Sequence, residues 1–172
     1  MSQRYVPAAT GAPAWIRPAP SVTAVPCNHP EVRRLTQALR AEQLGLYGFA
    51  DDPDATPAAD FDPPVGLFLI AHVGDKPVGG GGVRLLDEHT AEIKRMYVSG
   101  VARVQGIGRY LLEQHAASRR ARRIMRETGR RNTAALALYN RAGYLPCPSY
   151  VAGRDPRANR AMAKALGSSS AR

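Results

Sequence analysis

Cysteine is scarce in this sequence: the 172 residues include only two, Cys27 and Cys147. Neither belongs to a CxxC pair, and no histidine pair stands at metal-ligand spacing. A disulfide framework and a Cys/His zinc site are therefore excluded as the basis of the fold. The pattern predicts two free thiols in a reducing, cytoplasmic compartment and a protein without a bound metal.

Long hydrophobic runs are absent as well. The longest apolar stretch, residues 65–73, is interrupted by Gly66 and His72, and it falls far short of the ~20 apolar residues that a membrane-spanning helix needs. The N-terminus shows no basic start followed by an apolar run, so no signal peptide is predicted. These absences argue against a membrane partner.

What is present is the composition of an ordinary globular domain, with 44% hydrophobic and 22% charged residues. A chain of this length buries a substantial core and usually folds as one domain. Residues 1–20 are rich in alanine and proline without any period, which predicts a flexible arm. We expect one domain over residues 21–166, followed by a polar tail over residues 167–172.

Charge is distributed unequally along the chain. Residues 1–90 contain 7 Lys and Arg against 10 Asp and Glu, whereas residues 91–172 contain 17 against 4. The basic half suits an anionic ligand and the acidic half a cationic one, although solvated surface arginine explains the excess equally well. No nucleic-acid partner is expected, because no aromatic residues are interleaved with the arginines and no nucleic-acid motif is present.

Periodicity and turn residues predict an α/β domain with the order β-α-β-β-β-α-β-α-β-β. Asn28 as the cap, Pro30 in the first turn and Glu31 are typical of a helix start, and Gly143 is typical of a helix end. An antiparallel meander of three strands should be followed by a parallel crossover. The predicted strands cover residues 21–26, 66–73, 78–85, 91–98, 124–128, 144–148 and 161–166; the first helix ends near residue 45 or 48, and the others cover residues 107–120 and 132–142.

The segment RVQGIG, residues 103–108, lies between a predicted strand and a predicted helix. Its glycines allow a tight turn and a close approach of the backbone to a ligand. The N–H groups and dipole of the helix start favour an anion, and Arg103 and Arg109 add positive charge. The segment predicts a pyrophosphate cradle, although the glycines alone also suit a simple turn. Without a following Gly-Lys-Ser/Thr it is not a nucleotide-hydrolysing Walker loop.

The strand AEIKRMYV, the loop RVQGIG, a helix and the segment NTAALALYNRAGY, in this order, resemble the GNAT superfamily of N-acetyltransferases. The R-x-x-G-x-G stretch matches the acetyl-CoA signature of that family at each fixed position, and Asn132 to Tyr139 matches its N-x-x-A-x-x-L-Y spacing. The resemblance covers about residues 21–166. It implies a GNAT-type mixed sheet, splayed between residues 91–98 and 124–128 to form an acetyl-CoA cleft.

The resemblance also implies roles for individual residues. Backbone groups of Met96 and Val98 would pair with the pantetheine arm of acetyl-CoA, and Asn132 stands where the family has a pantetheine-contacting asparagine. Tyr139 stands where the family has its general acid, although it also suits a core aromatic. Seven residues are nearly two helical turns, so Asn132 and Tyr139 are expected on one face. The implied pyrophosphate site consists of Arg103, Val104, Gln105, Gly106, Ile107, Gly108 and Arg109.

A base or a water chain must take a proton from the attacking amine, because only a neutral amine is a nucleophile. Glu92 is the candidate, since the family often has a glutamate here; the alternative is a strand carboxylate paired with Lys94 or Arg126. In a regular strand Glu92, Lys94 and Met96 point to one face and Arg95 to the other. The backbone N–H of Met96 would hold the tetrahedral oxyanion.

The sequence departs from the family pattern between the second helix and the fifth strand. No glycine or proline between Gly108 and Ile124 ends the helix, and Arg126 stands where an inward-facing apolar residue is expected. A short or irregular fifth strand is therefore expected.

The residues and the resemblance together predict an acyltransferase that moves an acetyl group from acetyl-CoA to a primary amine of a small molecule or amino-acid derivative. Two alternatives stay open: a catalytically silent acetyl-CoA-binding regulator, and an acetyltransferase for a protein N-terminus or lysine. The five aspartates of residues 51–64 favour a cationic acceptor, unless they only form a solvated loop. The oligomeric state also stays open, a homodimer included.

Overall fold

The computed structural model describes residues 18–118 and 121–167. Most of the predicted arm and tail, and the last two residues of the predicted helix over residues 107–120, lie outside these ranges. The described strands are β1 (Pro20–Val25), β2 (Gly66–Val73), β3 (Lys76–Leu85), β4 (Thr90–Val98), β5 (Arg123–Gly129), β6 (Leu145–Pro146) and β7 (Asn159–Ala165). The helices are α1 (Pro30–Tyr47), α2 (Ile107–Ala117) and α3 (Thr133–Arg141), with short 3-10 turns at Pro53–Ala55, Ala58–Phe61 and Gly100–Ala102.

All seven strands form one mixed sheet with the order β1-β2-β3-β4-β5-β7-β6. Strands β1 to β4 pair as an antiparallel meander, and β5 pairs parallel to β4 after the α2 crossover. Strand β7 then returns antiparallel to β5, and β6 pairs with the other edge of β7. The predicted α/β fold and the predicted order of elements are confirmed.

Apolar side chains cover the sheet on both faces. On one face Leu35 of α1 and Phe61 form a cluster with residues of β2. On the other face Leu112 of α2 packs with Ile93 and Ile124, from the two central strands. Burial of these large side chains supplies the main driving force for the fold, and it holds β4 and β5 at the centre of the molecule.

The glycine run in β3 is explained by close neighbours rather than by strand propensity. A Cβ atom at Gly82 would lie 2.4 Å from the ring of Phe61, and one at Gly80 would lie 2.8 Å from the carbonyl oxygen of Leu69. Glycine is unfavourable in a strand interior, but it is required where another group approaches the backbone this closely. The run therefore allows Phe61 to pack flat against the sheet.

Helix α1 begins one residue later than predicted. The cap is His29, whose Nδ1 accepts a hydrogen bond of 3.2 Å from the backbone N–H of Glu31, so the prediction of Asn28 as the cap was wrong. Pro30 decides the start, because its fixed φ suits the first helical position and its missing N–H costs nothing there. The helix ends at Gly48, which adopts the left-handed conformation with φ +77°.

A β-bulge in β4 changes which side chains share a face. The pairing with β3 shifts between Gly80 and Gly82, and Arg95 adopts φ +54°. The extra residue reverses the alternation of side chains along the strand. Met96 therefore packs on the α2 face with Ile93, opposite Glu92, and the predicted common face for Glu92, Lys94 and Met96 was wrong.

The last strands also differ from the prediction. Strand β5 is seven residues long and pairs with β7 without interruption, so the expectation of a short or irregular strand was wrong. Continuous pairing with β7 explains its regularity, because the ladder satisfies the backbone along one whole edge. Strand β6 has only two residues, where five were predicted, and Pro146 and Pro148 limit it because proline cannot donate to a ladder.

Candidate active site

Strands β4 and β5 separate after a short parallel contact. Their register pairs only three residues on each strand, and the last pair is Glu92 with Met125. Beyond this pair β4 continues through the bulge at Arg95, which bends a strand, while β5 stays with β7. The result is an open cleft between the two strands, and the splayed sheet that the sequence implied is present.

A cavity of about 190 Å³ occupies this cleft. Its walls come from α1, from the loop after α1, from the separated parts of β4 and β5, and from the start and middle of α3. It brings together four of the predicted site residues, Glu92, Met96, Asn132 and Tyr139, with several that were not predicted, whereas Val98 and residues 103–109 do not line it. The lining residues used below are Tyr47, Asp51, Glu92, Met96, Arg126, Glu127, Asn132, Tyr139 and Arg154.

The predicted cradle is a row of free backbone N–H groups at the start of α2. None of the six N–H groups of residues 104–109 donates to another described residue. Gly106 caps the helix with φ +81°, and Val104 also lies in the left-handed region with φ +59°. Ile107 is buried and anchors the helix start in the core. This arrangement suits an anion, because the helix dipole and the free N–H groups favour negative charge at the same point.

Glycine at position 108 has a packing reason. A Cβ atom there would lie 2.8 Å from Cδ2 of Leu138, so the glycine lets α2 approach α3. Leu138 is itself part of the main core cluster. The second glycine of the motif therefore sets the distance between two helices, while the first, Gly106, sets the turn.

The polar side chains of the motif bond to protein groups rather than extending over the cradle. Arg103 donates from Nε to the carbonyl oxygen of Val98 at 2.9 Å and forms an ion pair with Glu42 of α1. Arg109 pairs with Glu113 at 2.8 Å on the exposed face of α2. Gln105 donates to the carbonyl oxygen of Val101. The free donors of the cradle are thus backbone groups.

Tyr139 lies in the middle of α3, in the core and at the cleft. It is 3% exposed, and its ring centroid lies 6.0 Å from that of Tyr144. The guanidinium carbon of Arg126 lies over the same ring, 4.0 Å from its centroid. Burial raises the pKa of Tyr139, since it disfavours the phenolate, and Arg126 opposes this effect.

Asn132 caps α3 and also lines the cleft. Its Oδ1 accepts a hydrogen bond of 3.1 Å from the backbone N–H of Ala135, which satisfies one of the free donors of the helix start. Both Asn132 and Tyr139 face the cavity. The motif therefore contributes a helix cap and an aromatic hydroxyl to the same wall.

Glu92 is buried within a network of charged and polar groups. Its Oε2 accepts from Nε of Arg84 at 2.9 Å, and its Oε1 accepts from the hydroxyl of Tyr150 at 2.9 Å. Lys94 is 3.8 Å away, and Arg84 also pairs with Asp60 at 2.6 Å. Both carboxylate oxygens are thus occupied by donors, and paired charges of this kind are strongly held.

Glu127 is an acidic residue of the cleft that the sequence did not single out. Its Oε1 pairs with Arg154 at 3.0 Å, while its Oε2 is buried without a hydrogen-bond partner among the described residues. Burial raises the pKa of the Glu127 carboxyl, and Asp51 and Glu92 act in the same direction against Arg154 and Lys94. A signal existed, since a carboxylate inside a predicted buried strand is unusual.

The loop between β6 and β7 supplies two further residues. Tyr150 reaches Glu92, and burial together with the nearby carboxylate raises the pKa of its hydroxyl, which remains a donor. Arg154 bridges Glu127 and Asp51, with 2.8 Å between its Nη1 and Oδ1 of Asp51. No sequence pattern marks either residue, because their positions depend on how a turn-rich loop folds back over the sheet.

Comparison with known families and structures identifies the family to which the chain belongs. The model of the acetyltransferase (GNAT) family matches residues 32–144, which include α1, the splayed strands, the cradle and α3. The chain belongs to the GNAT family. This acetyltransferase is therefore an enzyme of the transferase class, and the resemblance noted in its motifs is confirmed. No curated protein sequence matches the chain.

Solved structures share the same fold. A Klebsiella pneumoniae protein assigned as an acyl-CoA N-acyltransferase is 28% identical with a TM-score of 0.73, covering 86% of this chain and 97% of its own. An acetyltransferase from Streptococcus agalactiae is 20% identical with a TM-score of 0.67, over 86% and 98% of the two chains. A GNAT acetyltransferase from Elizabethkingia anophelis, solved with acetyl-CoA bound, is 18% identical with a TM-score of 0.61, over 86% and 98%.

The described part of the acetyltransferase contains neither a metal-ligand cluster nor a membrane-length helix. Across residues 18–118 and 121–167, no three His, Cys, Asp or Glu side chains come together as metal ligands. In the same part of the chain, no helix has both the length and the apolar character of a membrane span.

Proposed function

We propose that the enzyme transfers an acetyl group from acetyl-CoA to the primary amine of a small molecule or an amino-acid derivative. The observation on which this depends is the row of N–H groups at residues 104–109, none of which donates to another described residue. The row begins α2, where a Cβ atom at Gly108 would lie 3.7 Å from Cε of Met96, a residue that lines the cleft. A pyrophosphate fits such a row, and an extended amide-bearing arm fits a strand edge. The related structure from Elizabethkingia anophelis, which contains acetyl-CoA, supports this choice of donor.

The residues present fit acetyl-CoA. The N–H groups of residues 104–109 would hold the pyrophosphate, and the main chain of Met96 and Val98 would pair with the pantetheine amides along the open edge of β4. The carbonyl oxygen of Val98 already accepts from Arg103, so Arg103 would fix this end of the strand rather than bind a phosphate. Asn132, at the start of α3, would contact pantetheine from the opposite wall.

Tyr139 is the proposed general acid. When the amine attacks the thioester carbon and the C–S bond breaks, the bonding electrons stay on sulfur, and a nearby hydroxyl can supply the proton. Tyr139 lines the cleft, and its burial keeps the hydroxyl protonated because it raises the pKa. The N–H of Met96, just after the bulge, is the proposed donor to the oxyanion.

Among the carboxylates that line the cavity, Glu92 and Glu127 lie on the two separated strands, and the contacts favour Glu127 over Glu92 as the base. Glu127 has a buried oxygen without a hydrogen-bond partner among the described residues, and its raised pKa brings it closer to the range in which a carboxylate accepts a proton effectively. Both oxygens of Glu92 already accept from Arg84 and Tyr150. We therefore propose that Glu127 takes the amine proton, directly or through water, and that Glu92 holds the network beside it.

The part of the cleft near Glu127, between the loop after α1 and the loop between β6 and β7, is the proposed acceptor site. Its contacts favour a small acceptor over a segment of another protein. Arg154 connects the loop after α1, through Asp51, to Glu127 on β5. Together with the contact of Tyr150 with Glu92, this bridge places side chains of the loop between β6 and β7 against the charged residues of the cleft. Asp51, Glu92 and Glu127 each pair with an arginine. Oε2 of Glu127, which has no hydrogen-bond partner among the described residues, is the group that suits an acceptor arriving as a cation before it loses its proton.

Acetyl-CoA is expected to raise the Tm of the wild-type protein, because only the folded state assembles the cradle. At a ligand concentration of about 100 times Kd the gain is about 2.7 kcal/mol. Gly106→Val should remove most of this shift, since a β-branched residue is strained at φ +81°. Gly100→Val is the matched control, because Gly100 is a nearby glycine with open space around it and no positive φ.

The measurement is a thermal melt with acetyl-CoA and with CoA, followed by a turnover screen across amines, amino acids, aminoglycosides and peptides. We expect turnover with a small primary amine. A wild-type melt that neither nucleotide shifts at about millimolar concentration would contradict the donor assignment. A shift without turnover on any acceptor would favour a silent acetyl-CoA-binding regulator, and turnover only on peptides would favour a protein acetyltransferase.

A further inference from the structure

A buried arginine lies inside the cleft, in contact with the proposed acid. Arg126 on β5 is 7% exposed and lines the cavity. Its guanidinium lies over the ring of Tyr139, 4.0 Å from the centroid. One of its terminal nitrogens reaches across the gap to Sδ of Met96 on β4, at 3.5 Å. The cation therefore stands between the two separated strands.

The charge of Arg126 is poorly compensated. Among the described residues no carboxylate oxygen lies within 4.0 Å of its nitrogens. Its Nε is buried without a hydrogen-bond partner among the same residues. Its other nitrogens contact only the weak acceptor Sδ of Met96 and, in a long bond of 3.5 Å, the carbonyl oxygen of Glu127. A buried cation without a counter-ion is costly. An apolar residue would pack at this strand position at lower cost, so the charge requires a functional explanation.

We propose that Arg126 is a positioning residue for catalysis, whose fixed positive charge stabilises the negative charge that Tyr139 acquires as it protonates the leaving sulfur. This inference rests on the proposed function. A cation held against the face of an aromatic ring is attracted to its π system, and the attraction grows when the ring becomes negative. The contact is already in place before any substrate binds, so no reorganisation is needed during the reaction.

The proton and charge balance of the step is simple. The amine nitrogen forms a bond to the thioester carbon, the C–S bond breaks, and its electron pair remains on sulfur. Tyr139 gives its hydroxyl proton to that sulfur and becomes a phenolate beside the guanidinium of Arg126. The amine proton passes to the base, and the phenolate is reprotonated before the next turnover. Arg126 itself gains and loses no proton.

The surroundings of Tyr139 explain why a cation is useful there. Burial disfavours the phenolate, and the hydroxyl groups of Tyr47 on α1 and Tyr144 after α3 bring no positive charge. Glu127 directly follows Arg126 in β5, and its carboxylate brings no positive charge either. Among the described groups that act on the ionisation of Tyr139, Arg126 alone lowers its pKa. Without this charge, transfer of the proton would create an unstabilised buried anion.

The test compares Arg126→Met, Arg126→Lys and wild type. Methionine replaces the unbranched stem of arginine without its charge, and lysine keeps the charge without the planar group. We expect Arg126→Met to lower kcat by about 10-fold to 100-fold with little change in KM for acetyl-CoA. The alkaline limb of the kcat profile should move to higher pH, because loss of the cation raises the pKa of Tyr139. Arg126→Lys should recover part of the lost kcat and move the alkaline limb part of the way back towards its wild-type position.

A second measurement does not depend on turnover. The ionisation of Tyr139 can be followed in the free protein by NMR of tyrosine labelled with carbon-13 at Cζ, with the resonance assigned by its loss in Tyr139→Phe. We expect a higher midpoint in Arg126→Met. Arg123→Met is the matched control, since Arg123 is an exposed residue at the start of the same strand and should leave the midpoint unchanged.

Several results would overturn the proposal. An unchanged Tyr139 midpoint and an unchanged alkaline limb in a folded Arg126→Met protein would mean that Arg126 only packs. Loss of the charge should not unfold the protein, because removal of an uncompensated buried cation tends to stabilise; a large fall in Tm would contradict the account of the charge. If the wild type neither binds nor uses acetyl-CoA, the proposed function fails, whereas the NMR result on the Arg126–Tyr139 contact remains valid on its own.

Discussion

Tyr139→Phe is expected to lower kcat by about 10²-fold to 10⁴-fold, the usual contribution of an acid or base that transfers a proton in the transition state. The ring would remain packed against Arg126 and Tyr144, so the core should keep its shape. Binding of acetyl-CoA, followed by the Tm shift, should change little. The measurement is steady-state kcat on the acceptor found in the screen, together with the thermal melt.

Tyr144→Phe is the matched control for this experiment. Tyr144 is also buried, its ring lies 6.0 Å from that of Tyr139, and its hydroxyl has no hydrogen-bond partner among the described residues. Removal of an unsatisfied buried hydroxyl should leave stability unchanged or raise it, and kcat should stay near wild type. If Tyr139→Phe retains wild-type kcat while Tyr144→Phe behaves as expected, Tyr139 is a core aromatic and not the acid.

Glu127→Gln should lower kcat/KM by about 10²-fold to 10⁴-fold near neutral pH. Glutamine keeps the shape but cannot accept the amine proton. In wild type the acidic limb of the kcat/KM profile should lie above the ordinary pKa of a glutamic acid, because burial raises the pKa of Glu127. In the variant this limb should disappear, and activity should partly recover at high pH, where more of the amine is already neutral.

Glu92→Gln distinguishes the role of Glu92 from that of Glu127. Glutamine keeps an acceptor for Tyr150 but removes the charge that pairs with Arg84. We therefore expect a lower Tm, because the free energy of unfolding should fall by about 1–3 kcal/mol. The acidic limb of the kcat/KM profile should be retained. The opposite pattern would make Glu92 the base: loss of the limb in Glu92→Gln and an unchanged profile in Glu127→Gln. If both variants retain the full profile, a water chain or bulk solvent takes the proton.

The order of the elements and the position of the cradle were predictable from local signals. The glycines of RVQGIG, the helical spacing from Asn132 to Tyr139 and the alternation of strands with turns depend on residues close together in the chain. The start of α1 was missed by one residue for a local reason too. Asn28 and His29 can both accept from the helix start, and the fixed φ of Pro30 selects His29.

The bulge at Arg95 could not be predicted, and it matters for the site. A one-residue insertion into a ladder leaves no period in the sequence of a single strand, because it is defined against the partner strand. The bulge separates Met96 from Glu92 by face, and β4 bends here as it leaves β5. Pairing between β3 and β4 therefore decides on which face of the sheet Met96 lies, and on which face Glu92 and its charged network lie.

By itself, the sequence determined the family, the order of helices and strands, the backbone cradle of residues 104–109 and the candidacy of Tyr139. The elements and the cradle depend on spacing within short segments, whereas the family and the candidacy of Tyr139 came from the resemblance of several motifs, in order, to a known family. Only the tertiary structure decided which charges meet in the cleft: Arg154 with Glu127, Tyr150 with Glu92, and Arg126 with the ring of Tyr139. The reason is physical, since burial and the contacts between distant segments set the pKa of a carboxyl or a phenol, and neither is a property of local sequence.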